Sequence, residues 1–125
     1  MPPSVPNLSG SSDPATTPYG HHTSFPWEPL PQPEGYKSVI YRSSDGKIVV
    51  AAAKETGMAT FTYPCDEFFF VTNGWLKLKI QGGDEFTLSK GDFIYLKKGT
   101  TADFHFSPDF SNVAVFIGDE AISLV

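Results

Sequence analysis

From Tyr36 onward, apolar and polar positions fall into short runs bounded by turn formers: KSVIYR, KIVVAAAK, TFTY, EFFFVT, WLKLKI, EFTL, DFIYL, ADFHF and NVAVFI. Their β-branched and aromatic residues in short runs predict strands. In WLKLKI the alternation sets Leu76, Leu78 and Ile80 on one face and Trp75, Lys77 and Lys79 on the other. Asp45-Gly46 and Asn73-Gly74 read as hairpin turns, and Gly82-Gly83, Lys90-Gly91, Lys98-Gly99 and Ser107-Pro108 punctuate the remaining runs. No helix-length pattern intervenes, so the expected fold class is all-β, a closed barrel or sandwich.

Residues 1–34 are different. They hold nine of the eleven prolines and no Lys or Arg, and can neither propagate a helix nor donate regularly to a sheet. An extended Pro-rich arm (1–34) ahead of a single β-barrel domain (35–125) is the expected organisation, with the first twenty residues disordered. Phe25, Trp27 and Leu30 are large apolar groups, so the end of the arm is expected to lie on the barrel or on a second copy.

With 125 residues, 40% of them hydrophobic and 14% aromatic, the chain suffices for one compact domain and hence one site. Its net charge of -5 comes from interspersed acids and bases, with no basic stripe for a phosphate backbone, which argues against nucleic acid as a partner. No apolar run approaches the roughly 20 residues of a membrane span, and the start lacks a basic-then-apolar leader. A soluble, cytoplasmic protein is expected. The single Cys65 rules out an intrachain disulfide and any multi-cysteine zinc site.

Gly57, Glu67 with Gly74 beyond it, and Gly91-Asp92 followed by Gly99 together resemble the two motifs of the cupin superfamily. Across about residues 36–120 the chain is most similar to small single-domain cupins related to ureidoglycine aminohydrolase and the ethanolamine-utilisation cupin. The resemblance implies a double-stranded β-helix, or jelly-roll, barrel. It leaves the reaction open, since one such barrel serves many chemistries. The family's metal site takes an H-x-H pair, a glutamate and a third histidine. Here Phe61 and Tyr63 stand at the pair and Ala102 at the third histidine, leaving Glu67 alone of the four. No metal and no cofactor are therefore predicted. His105 lies three positions beyond Ala102, and alternation points it to the opposite face unless a bulge intervenes.

Inward parity, as the resemblance assigns it, gathers Phe61, Tyr63, Glu67, Phe69, Val71, Ala102, Phe104 and Phe106 in the barrel. A carboxyl group in aromatic surroundings loses hydration, its pKa rises, and it can trade protons near neutrality. Glu67 is thus the candidate general acid/base and Tyr63 a hydrogen-bond donor to a substrate oxygen. Phe61, Phe69, Val71, Ala102, Phe104 and Phe106 would bind a flat or apolar body, and Lys97 at the rim an anionic group. Alternatively, Glu67 is structural, hydrogen-bonded to backbone or to Tyr63. Cys65 and His105 are secondary candidates; Cys65 has no evident base to make its thiolate.

Three functions fit these residues. The first is a metal-independent cupin enzyme, a lyase or isomerase that isomerises, eliminates or cyclises a small organic molecule, within specialised metabolism. The second is a metal-dependent oxygenase or hydrolase with a nonstandard ligand set drawn from Glu67, Cys65, His105 or Tyr63. The third is a noncatalytic small-molecule-binding or dimerisation module. A homodimer is expected from the FPWEPL segment and an exposed sheet edge.

Overall fold

The computed structural model describes residues 15–30 and 35–125. Residues 1–14 and 31–34 of the expected Pro-rich arm lie outside the described residues. Among those described there are ten strands and no helix: β1 (Glu28–Pro29), β2 (Gly35–Arg42), β3 (Ile48–Glu55), β4 (Gly57–Thr62), β5 (Asp66–Asn73), β6 (Trp75–Ile80), β7 (Glu85–Ser89), β8 (Phe93–Leu96), β9 (Thr101–Phe106) and β10 (Ser111–Ile117). Among the described residues no helix is long and apolar enough to cross a membrane.

The strands form two sheets, ordered β1-β2-β3-β10-β5-β8 and β4-β9-β6-β7, with every pairing antiparallel. From β3 onward the chain repeatedly changes sheet, the all-β cupin barrel that the motifs imply. Asp45-Gly46 does join a hairpin, β2 to β3, and Gly82-Gly83 lies between the paired β6 and β7. Asn73-Gly74 does not. β5 and β6 belong to different sheets, so this turn carries the chain across the barrel instead of folding it back on its neighbour.

Alternation decides what enters the barrel. Along β5, Glu67, Phe69 and Val71 are buried while Phe68 and Phe70 are exposed; along β9, Ala102, Phe104 and Phe106 are buried while Asp103 and His105 are exposed. Leu76 and Leu78 of β6, wholly buried, close the core from the smaller sheet, and each contributes about 1.5–3 kcal/mol through apolar burial. In the arm, β1 pairs Glu28 with Lys37 and Pro29 with Tyr36, and Lys54 Nζ stands 4.5 Å above the Trp27 ring. These contacts hold Leu30 where it lines the barrel cavity. At the other end of the chain, Arg42 donates to the main-chain oxygens of Ile122 and Val125, both at 2.8 Å, so that Leu124 and Val125 complete the cavity wall.

Candidate functional site

Between the sheets lies a cavity of about 590 Å³, within the range that encloses small organic ligands. Phe61, Tyr63, Glu67, Phe69, Phe104 and Phe106 all line it, so six of the predicted site residues converge on one space. Val71 and Ala102 point inward but are wholly buried, and they belong to the packed core instead of the cavity wall. Ala102 is paired between Phe61 and Ile80 on the neighbouring strands.

The aromatic wall has an ordered geometry. Phe61 meets Tyr63 edge to face at 4.9 Å between ring centroids, and Phe104 stacks on Phe106 at 5.6 Å. Tyr63 is held by its backbone just beyond β4. Its N–H donates to the Thr100 carbonyl at 2.9 Å, and its own carbonyl accepts from the Gly99 N–H at 2.8 Å. Its side chain is therefore fixed by the turn that leads into β9.

Glu67 sits opposite Phe116 of β10 and Leu96 of β8 and is only 6% exposed. Burial pushes its carboxyl up to about 8; the Tyr63 hydroxyl, hydrogen-bonding to the carboxylate, opposes the rise, and the charge of Glu55 adds to it. Burial and the nearby Glu67 charge in turn push the Tyr63 phenol above its ordinary range, so it remains a neutral donor. A carboxyl group that gains and loses its proton near neutrality, beside a hydroxyl and aromatic faces, can carry a proton between two atoms of a bound molecule.

The remaining candidates lie elsewhere. Lys97 is exposed on the turn after β8, beside Asp66 and away from the cavity wall. Asp66 itself accepts from the Tyr95 hydroxyl at 2.6 Å and the Lys98 N–H at 2.7 Å, a clasp on the barrel's outside. His105 faces outward with no bulge in either of its pairings, and its ring meets Trp75 edge-on at 5.2 Å. Cys65 is buried; burial, then the charges of Glu67 and Asp66, push its thiol up, which disfavours the thiolate.

Among the cavity residues not expected from the sequence, Glu55 and Asn112 carry a carboxyl and an amide. Glu55 ends β3 with the inward parity of Val49, Ala51 and Ala53, and burial pushes its carboxyl up to about 7. Asn112 opens the inward series Asn112, Ala114, Phe116 on β10 and is 4% exposed. Both were signalled by a polar residue at an inward position of an otherwise apolar strand. Ending the KIVVAAAK run at Lys54 hid the first.

The donor set does not fit the metal site that the cupin motifs imply. Three of its four positions carry Phe61, Tyr63 and Ala102, and among the described residues no group of three or more His, Cys, Asp or Glu side chains is placed to hold an ion.

Residues 43–110, more than half of the chain, match the EutQ-like cupin domain. The chain belongs to this family. Solved cupin-fold structures align with most of it at low identity. A protein of Salmonella typhimurium LT2 assigned to ethanolamine utilization, EutQ, shares 15% identity over 94% of this chain and 95% of its own, with a TM-score of 0.67. KdgF from Halomonas sp. shares 15% over 80% of this chain and 94% of its own, at 0.63. Ectoine synthase from P. lautus shares 14% over 67% of this chain and 64% of its own, at 0.61. Among curated proteins none matches. At these identities the likeness is one of fold, and the chemistry of this EutQ-like cupin must be argued from its own cavity.

Proposed function

We propose that this cupin is an enzyme that moves a proton within a small organic molecule held in its barrel, giving isomerisation, elimination or ring closure, without a metal ion. The observation that carries the reading is Glu67, whose carboxyl is buried in a cavity lined by aromatic rings and is pushed by that burial well above the ordinary carboxylate range. When Glu67 is protonated the Tyr63 hydroxyl is freed from its carboxylate and would donate to an oxygen of the substrate, stabilising charge developing there, while Phe61, Phe69, Phe104 and Phe106 hold its apolar body. The absence of the cupin histidines from the cavity supports proton transfer by the chain's own carboxyl. That a synthase is among the structural neighbours agrees with an enzymatic role, without naming a substrate.

A proton shuttle exchanges its proton with solvent between turnovers. Small molecules incubated with the protein in heavy water should therefore gain deuterium at the reacting carbon, read by mass spectrometry. Glu67→Gln should reduce that exchange by at least about 100-fold, the contribution typical of a positioned acid/base. Equal exchange in both chains would overturn the assignment.

A further inference from the structure

Resting on the reading of the barrel as a small-molecule site, we propose that the ligand carries a protonated amine, held where Glu55 and Asn112 meet on the inner face of the larger sheet. The cavity wall is apolar apart from a few groups, and those groups are biased towards accepting. Glu55 and Glu67 each offer a carboxyl, Asn112 offers an amide oxygen, Thr56, Thr60 and Tyr63 offer hydroxyls that both donate and accept, and among the described lining residues there is no Lys, Arg or His. A carboxylate or phosphate ligand would find no cation there. An ammonium would find acceptors at one end of a cavity whose wall also carries the aromatic rings of Phe61, Phe104 and Phe106, a group type that attracts organic cations.

Asn112 supplies the independent observation. Its Oδ1 is buried and has no hydrogen-bond partner among the described residues, whereas buried acceptors in folded proteins are nearly always paired. The register shows what could share a donor with it. Asn112 stands directly across from Ala53, and Glu55 is the next inward residue along β3, the diagonal position that long side chains reach across. One N–H-rich head group at this corner would satisfy both acceptors, a better match than a single hydroxyl with its one hydrogen.

Binding should also move protons. Among the described lining residues the titratable side chains other than Glu55 are Glu67 of β5 and Tyr63, while β2, β4, β9 and β10 turn only uncharged side chains to the wall. Loss of hydration in the cavity pushes the half-buried Glu55 carboxyl up to about 7. An arriving ammonium favours the carboxylate, so binding releases a proton and affinity rises as pH rises through that value.

The test is calorimetric titration of the full chain with three probes of one shape, benzylamine, benzyl alcohol and benzoate, at about pH 6 and about pH 8. At the higher pH benzylamine should bind at least about tenfold more tightly than benzyl alcohol, the worth of one charge-assisted hydrogen bond, with benzoate weakest. Its preference should shrink at the lower pH. Glu55→Gln and Asn112→Leu should each remove most of it, with thermal melting confirming the fold; if Asn112→Leu does not fold, Glu55→Gln alone decides. The proposal is overturned if benzoate or the alcohol equals benzylamine, if the preference survives Glu55→Gln, or if no probe binds up to about 10 mM. Loss of the amine preference while Glu67-dependent deuterium exchange persists would remove only the ligand class. An intact preference with exchange indifferent to Glu67→Gln would remove only the acid/base reading.

Discussion

Glu67 and Glu55 are carboxyl groups that the fold prefers to keep neutral, and this sets how the protein should respond to pH. Glu67 rises from an ordinary 4.5 to about 8 and Glu55 from 4.5 to about 7. Across the window from about 4.5 to about 8 the folded chain therefore holds more protons than the unfolded one, and raising the pH favours unfolding. The melting temperature should fall between about pH 5 and pH 8, and Glu67→Gln should flatten most of that slope and exceed the parent by a few kcal/mol at the upper end. A melting temperature that is level or rising over this range, and the same in both chains, would contradict the burial of a titrating carboxyl. The pair also shows how legible the site was. Glu67 stood out because the cupin motif marks it and three phenylalanines follow it. Glu55 shares the parity of the alanines before it but reads locally as a charged strand end, and only the neighbouring strands reveal that it faces the cavity.

Among the elements, alternation within each run said which side chains share a face, and β5, β6 and β9 show the expected pattern. It could not say which sheet each strand joins, because sheet membership depends on partners far along the chain. Asn73-Gly74 shows the difference: the dipeptide suits a tight hairpin, yet here it crosses between sheets. Gly74 has a φ of 72°, and a side chain there would run into Ser107 Oγ, Asp109 Oδ1 and the backbone of Phe110. Gly99 also has a positive φ, 89°, but faces open space. In denaturant unfolding, Gly74→Ala should lose more than about 2 kcal/mol, from strain and overlap together. Gly99→Ala should lose only the roughly 1–2 kcal/mol of the left-handed backbone. Equal losses would mean that the crossing is looser than the structure shows.

For the whole molecule, the motifs pointed to the cupin barrel because they combine turn glycines with one acid at the family's spacing, and the barrel was legible for that reason. The contribution of Leu30 from the arm and of Leu124 and Val125 to the cavity wall was not, since docked segments carry no periodic signature. Nor does the sequence alone reveal the outer aromatic face, where Phe68 pairs with Tyr95 and Phe70 with Phe93 across β5 and the edge strand β8, all four exposed. A second copy covering this face is expected, in line with the homodimer anticipated from the sequence. Sedimentation should then give a dimer that Phe93→Asp dissociates, and a parent chain that stays monomeric at all concentrations would contradict it. The proposed chemistry, however, rests on a single buried proton. Carbon-13 labelling of the glutamate carboxyl groups, with Glu67→Gln to assign the resonance, would follow that proton directly through a pH titration. A midpoint near 8 for Glu67 is the expected result; a midpoint near the ordinary 4.5 would mean a solvated carboxylate and would contradict the proton-shuttle account.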